Sequence, residues 1–404
     1  MTKEPLRCIA DIQTGPFGSQ LHKEDYVENG TPIVTVEHLG NRVFTVQNLP
    51  QVSDNDKERL KKYVLREGDI VFSRVGSVDR CSLVDKEHDG WMFSGRCLRV
   101  RPNTHIDALF LYYFFCLEGT KEFVRNIAVG ATMPSINTKL LGEIEVAYPC
   151  YDMQRKVSSV LSDLDSKIEL NEKINHNLEQ QAQAIFKSWF VDFDPFGGVM
   201  PDDWQEIQLG DLCVTVTKGT TPTTLKKQFV EQGINFVKAE SILNDHSIDF
   251  GKLAFIDDDT NALLGRSIIQ VSDIIFTIAG TLGRFAFVCE NLLPANTNQA
   301  VAIIRANTFK INPVTLYSFF VGGLHMDFYA KHIQQAVQAN LSLTTIKALP
   351  LLLPPEETLA EYSMLVEPIF ERIFHNYTEN RRLAELRDTL LPKLMSGELS
   401  VTDI

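Results

Sequence analysis

Three pairs of polar loops carry side chains that could contact a nucleic acid. The first pair is rich in hydroxyls, glycines and lysines, and contacts to phosphates and base edges need hydroxyl, backbone N–H and ammonium groups. The same glycine, proline and threonine content is also typical of an ordinary turn, so both interpretations stay open. The candidate residues of this pair are Thr14, Gly15, Phe17, Gly18 and Ser19, matched by Lys218, Gly219, Thr220, Thr221, Thr223, Lys226 and Lys227.

The second and third pairs offer groups that can read bases. Arginine binds guanine through two donors, although an isolated arginine pairs equally well with a carboxylate. Glutamine and asparagine suit the edge of adenine, although polar residues on turns are usually only solvated. The second pair contributes Arg74, Ser77 and Arg80, matched by Thr281 and Arg284, and the third contributes Thr132, matched by Gln338 and Asn340.

Motifs for catalysis are absent from the sequence. The chain has no G-x-x-x-x-G-K-[S/T] segment that would hold the phosphates of ATP. It also lacks a glycine-rich S-adenosylmethionine loop with an Asn-Pro-Pro-Tyr-like tetrapeptide, and its nine histidines form no pair at metal-ligand spacing. Carboxylates cluster in residues 201–206, but their spacing is too tight for metal-assisted cleavage. We therefore expect no catalytic residue, cofactor or metal in this chain.

The loops come in pairs because the sequence repeats itself. Residues 26–37 align with residues 229–240, with identical residues at five of the twelve positions. Residues 69–76 align with residues 273–280, and Arg80 aligns with Arg284, so the shift stays near 204 (273 − 69 = 204). Chance similarity would not keep one shift through several segments, and the sequence therefore predicts a tandem duplication.

Each copy begins with a mixed segment and ends with a long helix. Short β-branched runs, such as residues 33–36, are separated by Gly, Pro and Asn turns, which is typical of strands. An aromatic stretch at residues 109–117 predicts a buried helix. The predicted divisions are an α+β domain at 1–150, a long helix at 151–198, a second α+β domain at 199–355 and a second long helix at 356–404.

The two long helices carry matching seams. Apolar residues alternate in steps of four and three over about four heptads, which is typical of a coiled coil, and two asparagines interrupt each seam. Two equivalent halves predict antiparallel pairing, with Asn171 opposite Asn380 and Asn175 opposite Asn376. A pair of unrelated amphipathic surface helices is the alternative. The central seam residues are Leu164, Ile168, Asn171, Asn175 and Leu178 in the first helix and Ile369, Ile373, Asn376, Asn380 and Leu383 in the second.

Composition excludes several classes of protein. With 44% hydrophobic and 23% charged residues, the chain is typical of globular proteins rather than of disordered or fibrous ones. No apolar stretch is long enough for a bilayer, no secretory signal is visible, and the seven cysteines lack C-x-x-C spacing. We therefore expect a cytoplasmic protein with reduced, mostly buried thiols and no disulfides.

The net charge of −13 argues at first against a nucleic-acid partner. The distribution of charge weakens that objection. Residues 151–198 hold 8 acidic and 5 basic side chains, and residues 356–404 hold 10 acidic and 5 basic ones. Since the acidic surplus per residue lies mainly on the helical segments, the globular segments are near neutral and can carry a basic face.

Four segments around the helices resemble a known family. They are residues 185–195 (IFKSWFVDFDP), 200–204 (MPDDW), 209–212 (LGDL) and 390–399 (LLPKLMSGEL). Over its whole length the chain resembles the specificity subunit of type I restriction-modification enzymes. The resemblance implies two pseudo-two-fold-related globular target-recognition domains joined by a pair of long antiparallel coiled-coil helices.

The resemblance also implies a function and partners. Each recognition domain would read one half of a bipartite, asymmetric sequence in double-stranded DNA, and the helices would set the gap. Independently of the resemblance, two related domains on a rigid rod suit half-sites that are spaced by on the order of one duplex turn, ~34 Å, or somewhat more. The helices would also dock two DNA adenine methyltransferase subunits, which use S-adenosylmethionine. Restriction and translocase subunits would add ATP- and Mg-dependent cleavage, so this chain itself would be non-catalytic.

Two other functions are compatible with parts of this pattern. A duplicated scaffold that binds proteins, with the helices as a spacer, fits the same architecture. An enzyme with an unfamiliar site is disfavoured, because no nucleophile, base or metal set repeats between the two halves.

Overall fold

The computed structural model describes residues 1–17, 20–40, 42–332 and 340–401. The chain forms two compact units. Unit 1 comprises Met1–Lys167 together with Leu383–Ile404, and unit 2 comprises Ile168–Arg382. Each unit therefore contains one mixed domain and a part of each long helix. Within the described ranges, no helix has the length and apolar character needed to cross a membrane.

Unit 1 begins with short strands and helices, and the first long helix follows them. The strands are β1 (Thr2–Pro5), β2 (Ala10–Thr14), β3 (Tyr26–Val27), β4 (Thr31–Val34), β5 (Gln51–Val52), β6 (Ile70–Ser73), β7 (Cys81–Leu83), β8 (Met92–Phe93), β9 (Cys97–Pro102) and β10 (Glu145–Tyr148). The helices are α1 (Leu6–Ile9), α2 (Asp54–Arg59), α3 (Ala108–Cys116), α4 (Glu118–Ile127), α5 (Thr138–Gly142) and the long α6 (Tyr151–Phe190).

Unit 2 repeats this order, and the second long helix follows. The strands are β11 (Gln205–Gln208), β12 (Cys213–Lys218), β13 (Ile234–Val237), β14 (Ala254–Ile256), β15 (Ile268–Ile269), β16 (Ile274–Thr277), β17 (Phe285–Phe287), β18 (Ala295–Thr297), β19 (Val301–Ala306) and β20 (Pro350–Leu353). The helices are α7 (Asp258–Leu263), α8 (Pro313–Val321), α9 (Leu324–His332), α10 (Leu343–Lys347) and the long α11 (Glu356–Ser396).

The sheets of the two units have the same topology. An antiparallel sheet of order β2-β9-β6-β7 in unit 1 corresponds to β12-β19-β16-β17 in unit 2. A second sheet contains the order β5-β4-β8 in unit 1 and β14-β13-β18 in unit 2, with a parallel β4–β8 or β13–β18 pair. The predicted tandem duplication is therefore confirmed at the level of the fold.

The aromatic run predicted as core lies on α3. Asp107 caps this helix by accepting a hydrogen bond from the backbone N–H of Phe110, and Asn312 caps α8 in the same way. Phe110 and Phe115 are buried and pack with the antiparallel sheet of unit 1. Burial of such large apolar side chains is the main source of stability for a unit of this size.

A buried ion pair ties the two sheets of each unit together. Arg101 of β9 donates from Nε and Nη2 to the two carboxylate oxygens of Asp69, over 2.6 and 2.7 Å. It also donates to the carbonyl of Val64, which bridges to the second sheet. Arg305 and Asp273 repeat the pair at 2.7 Å for both bonds. Such two-pronged pairs fix geometry more firmly than a single hydrogen bond.

The long helices pair antiparallel. Helix α6 has 40 residues and α11 has 41, so each is about 60 Å long. Within unit 2, Asn171 donates to the side-chain oxygen of Asn380 over 2.7 Å, and Asn376 donates to that of Asn175 over 2.7 Å. Residue numbers rise along one helix as they fall along the other, and the predicted antiparallel contacts are therefore confirmed.

The seam residues are buried to different degrees. Ile373 and three of the asparagines, Asn171, Asn175 and Asn376, are buried, whereas Asn380 and the apolar residues Leu164, Ile168, Leu178, Ile369 and Leu383 are half-buried. The ends of both helices also join the cores of the globular domains, because the sheets offer apolar surface there. The helix residues in these cores are Val157, Leu161, Leu391 and Leu394 in unit 1 and Ala182, Phe186, Phe190, Tyr362, Val366 and Phe370 in unit 2.

The cysteines are free thiols in the structure, and the prediction that most of them are buried is wrong. Only Cys81 and Cys97 are buried, whereas Cys8 and Cys150 are exposed and the other three lie between these extremes. Cys8 lies in the short helix α1, and Cys150 directly precedes α6. Composition alone does not distinguish such positions from strand interiors.

Candidate nucleic-acid interface

The first loop of unit 1 leaves β2 at Thr14 and passes close to another strand end. The N–H of Gly15 donates to the carbonyl of Cys97 over 3.2 Å, and a Cβ at this position would collide with the carbonyl oxygen of Ser94. Glycine is therefore required here by the close approach of two backbones. Phe17 is 61% exposed. The candidates Gly18 and Ser19 lie outside the described residues.

The first loop of unit 2 repeats the close approach with different side chains. The N–H of Gly219 donates to Asn298 O over 3.0 Å, and a Cβ there would collide with the carbonyl of Thr297. The hydroxyl of Thr221 donates to the amide oxygen of Gln299. The remaining candidates are solvent-accessible: Lys218, Thr223 and Lys226 are exposed, and Thr220 and Lys227 are half-exposed.

The arginines of the second loop bind backbone carbonyls rather than carboxylates in the described part of the chain. Arg80 donates to Leu39 O, and Arg284 donates to Ile242 O over 3.1 Å. Since this contact repeats in both units, it holds the fold of each domain. Arg80 and Arg284 have further guanidinium N–H groups, and base reading by those groups stays a prediction. Arg74 donates to Gly95 O over 3.1 Å and lies 5.9 Å from the ring of Phe17.

The hydroxyl candidates of the second loop also differ from each other. Ser77 is exposed in unit 1, whereas the hydroxyl of Thr281 donates to the carbonyl of Ala239 over 3.2 Å. Thr281 therefore has a role in holding its loop. Ser77 keeps its hydroxyl on the surface.

The third loop lies beside the second in both units. The N–H of Gly76 donates to Pro134 O over 2.8 Å in unit 1, and Asn340 forms a bridge with Ala279 in unit 2. Thr132 and Asn340 are exposed, so both side chains are available to a ligand. Gln338 lies outside the described residues.

A further turn, which sequence analysis missed, joins the first and second loops. We call residues 94–96 of unit 1 and residues 298–300 of unit 2 the central turn. The N–H of Arg74 donates to Arg96 O over 2.8 Å, and the N–H of Ile278 donates to Ala300 O over 2.8 Å. The three loops and the central turn of a unit therefore form one continuous surface, which we call the loop cluster.

The loop cluster of unit 2 encloses a cleft of about 600 Å³. Lys218 of the first loop, Gly280 of the second and Asn340 of the third all line it, together with Gln299 of the central turn and His332. Among the described residues that line the cleft there is no Asp or Glu. The structure thus brings the three predicted loops together around a polar cleft without acidic side chains, which suits a polyanionic ligand.

Sequence reasoning also missed two arginines near these loops. Arg96 is exposed on the central turn, and Arg266 lies with Nη2 3.5 Å from both Lys218 O and the hydroxyl of Thr220. The Ser-Gly pair before Arg96 is a turn signal that could have indicated the first. Arg266 joins the cluster only through the tertiary fold, and no local signal identifies it.

A model of the "Type I restriction modification DNA specificity domain" matches residues 6–180 of this chain and, a second time, residues 201–369. Together the two matches cover most of the chain. The chain belongs to this family. The two matched segments correspond to the two copies that the sequence and the sheet topology show. Since the family is one of DNA specificity domains, the prediction that the chain supplies DNA specificity rather than catalysis is confirmed with it.

Curated relatives of the type I specificity family match most of the chain. The type I restriction enzyme MjaIX specificity subunit of Methanocaldococcus jannaschii is 27% identical over 318 residues, which cover 75% of this chain and 72% of the relative. The type I restriction enzyme HindI specificity subunit of Haemophilus influenzae is 24% identical over 451 residues, which cover 91% of this chain and 94% of the relative.

A solved structure shares the fold. The S subunit of a type I restriction-modification system from M. genitalium matches 97% of this chain and 95% of its own length, with a TM-score of 0.60 at 16% identity. The predicted fold class, α+β domains with a pair of long antiparallel helices, is therefore confirmed. The predicted family is confirmed by the family model, which matches residues 6–180 and 201–369.

Proposed function

We propose that this chain selects the DNA sequence for a type I restriction-modification complex, with each unit reading one half of a bipartite, asymmetric target. The observation that carries the proposal is a duplicated scaffold whose loops have diverged. The family assignment supports DNA as the ligand. The duplication supports a target of two parts.

The contrast between scaffold and loops supports two different half-sites. The ion pair of Asp69 with Arg101 recurs in unit 2, and so does the close approach at Gly15. By contrast, Phe17 corresponds in position to Thr221, and Arg74 corresponds to Ile278. Base readout depends on the side chains that reach the groove of the DNA. Two units with the same scaffold but different loop side chains therefore read different base sequences.

The long helices set the gap between the half-sites and dock two DNA adenine methyltransferase subunits. Support comes from apolar side chains that the helices leave in solvent, where a partner would cover them. Leu170 is 52% exposed and Met364 is 69% exposed, both on helix segments of unit 2, and Leu386 on the α11 segment of unit 1 is 47% exposed. Both ends of the helical pair therefore offer apolar contacts.

The chemistry of the complex resides in the partner subunits. S-adenosylmethionine is used by the methyltransferases, and ATP and Mg are used by the restriction and translocase subunits. This chain contributes no cofactor site, and the complex acts in the cytoplasm, where the DNA is. Part of the phosphate neutralisation comes from the partners, because the chain carries a net charge of −13.

The deciding experiment is methylation mapping. The chain is co-expressed with a type I DNA adenine methyltransferase partner in a host without adenine methylation, and methylated adenines are mapped across the genome. We expect a two-part motif with a fixed gap. Methylation without sequence preference, in a complex that assembles, would favour the protein-binding scaffold instead.

A domain exchange supplies the matched control. Residues 1–150 are replaced by the corresponding domain of another family member, with both helices and unit 2 unchanged. We expect one half of the motif to change while the other half and the gap stay the same. A change in both halves would contradict independent reading by the two units.

A further inference from the structure

The central turn has the same backbone setting in both units but different side chains. Cys97 N donates to Ser94 O over 2.9 Å, and Val301 N donates to Asn298 O over 3.3 Å, so both turns close in the same way. Each turn also bonds to the second loop. In unit 2 Asn298 O accepts a hydrogen bond from Gly219 N of the first loop, whereas in unit 1 the first loop bonds to Cys97 O, directly after the turn. Yet the residues read Ser-Gly-Arg in unit 1 and Asn-Gln-Ala in unit 2. No position of the turn is shared.

In unit 1 the turn presents an arginine. Arg96 is exposed, and among the described residues its guanidinium has no hydrogen bond or ion pair. The residue before it is held in place, because Arg74 donates to Gly95 O over 3.1 Å. Arg96 therefore extends from a fixed backbone with its donors unused.

In unit 2 the turn presents a glutamine. Gln299 is exposed at the cleft of the loop cluster, and its amide oxygen accepts a hydrogen bond from the hydroxyl of Thr221. An amide oxygen has two lone pairs, so one remains free, and both N–H groups of the amide are also available. The contact with Thr221 therefore orients the amide and leaves its two N–H groups and one lone pair free for further hydrogen bonds.

We propose that the central turn reads a base in each half-site, with Arg96 binding a guanine and Gln299 binding an adenine. The inference rests on the proposed function and specifies it. A guanidinium matches the two acceptors of guanine in the major groove, and a carboxamide matches the acceptor and donor of adenine. Arg96 aligns with Ala300 and Gln299 aligns with Gly95, so each unit places its base-reading side chain at a different position of the same turn, which suits two different half-sites.

The test uses the chain assembled with its methyltransferase partner. Binding is measured for duplexes that carry each of the four bases at every position of the motif. Arg96→Ala is expected to reduce discrimination at one guanine of the unit 1 half-site by roughly 5- to 150-fold, and Gln299→Ala is expected to do so at one adenine of the unit 2 half-site. All other positions should keep their preference.

The chain offers matched controls. Arg66 and Gln270 occupy equivalent positions before β6 and β16, at the opposite ends of those strands from the second loops, and both are exposed. Arg66→Ala removes the same side chain as Arg96→Ala, and Gln270→Ala removes the same side chain as Gln299→Ala. Neither control should alter the motif.

A conservative variant separates base reading from phosphate binding. Arg96→Lys keeps the positive charge but loses the paired donors, so base reading predicts the same loss of discrimination as in Arg96→Ala. If Arg96→Ala weakened binding to all duplexes equally and Arg96→Lys restored that binding, the assignment would be overturned. An unchanged motif in both central-turn variants would overturn it too. A wild-type complex without any gapped motif would instead refute the proposed function itself.

Discussion

Gly15 and Gly219 position the first loops by having no side chain. At both positions the backbone passes so close to a neighbouring carbonyl that a Cβ would collide with it. Their backbone N–H groups donate to the segment that they approach. The choice of glycine in these loops is thus decided by packing, while recognition depends on the residues that follow.

Gly219→Ala should destabilise unit 2. The added methyl group meets backbone rather than a movable side chain, so we expect a loss of about 1–3 kcal/mol in the free energy of unfolding, measured by chemical denaturation. Gly265→Ala is the control, because a Cβ there meets nothing within 4 Å. Equal stability of the two variants would contradict the close approach.

Glu179 should make the stability of unit 2 depend on pH. Burial, and to a smaller extent the charge of Asp245, raise the pKa of Glu179 from 4.5 to about 7. His246 lies 3.9 Å away, but burial lowers the pKa of that imidazole, so it is a weak counter-ion. Because the folded state holds the carboxyl proton more tightly than the unfolded chain does, stability falls as the pH rises from about 4.5 to 7.

Glu179→Gln removes this titration. We expect the variant to be more stable than the wild type above pH 7, by on the order of 2 kcal/mol, and to show a flatter dependence between pH 4.5 and 7. Urea denaturation at a series of pH values measures both effects. The opposite sign, with wild type more stable at high pH, would show that Glu179 is stabilised as a carboxylate.

At the scale of elements, the sequence predicts what repeats and misses what is long-range. The duplication, the Asn171–Asn380 contact and the buried aromatic helix follow from spacing and periodicity, which are local properties. The central turn was missed because its importance comes from hydrogen bonds to residues far away in sequence, such as the bond from Arg74 N to Arg96 O. The contribution of the helix ends to the cores of the globular domains was missed for the same reason, because those contacts join residues far apart in sequence.

The asparagine pairs make a prediction about the helices. Asn175 and Asn376 are buried and bonded to each other, so Asn175→Leu alone leaves a buried amide without its partner. We expect this variant to lose about 1–3 kcal/mol. The double variant Asn175→Leu with Asn376→Leu should recover that stability or exceed it, because apolar residues replace both polar groups.

A double-mutant cycle by denaturation measures the coupling, and Leu170→Ala, an exposed change on the same helix, is the control. Additive effects of the two leucines would mean that the amides are not paired in solution.

At the scale of the whole molecule, both long helices contribute residues to both units. A deletion that keeps the helices in register therefore tests the proposed spacer role. Residues 172–175 face residues 376–379, since Asn171 pairs with Asn380 and Asn175 with Asn376. Removing both segments takes one turn from each helix and leaves the Asn171–Asn380 pair.

We expect this deletion to shorten the gap of the methylation motif by about two base pairs, because a turn of about 5.4 Å is removed and a base-pair step is about 3.4 Å. Both half-sites should stay the same, and methylation mapping reports both quantities. An unchanged gap in an active complex would contradict the spacer role. Deleting residues 172–175 alone should abolish the motif, because it puts the two helices out of register.

Unit 2 is formed by one continuous stretch of chain, whereas unit 1 needs both early and late residues. Leu391 and Leu394 belong to the same core as Leu6 and Val157, and Arg387 binds Asp165 over 2.7 Å. During synthesis on the ribosome, unit 2 can therefore close before the core of unit 1 has all of its side chains. A message truncated directly after codon 382 would still encode every residue of unit 2, but it would leave the core of unit 1 open to solvent and to proteolysis.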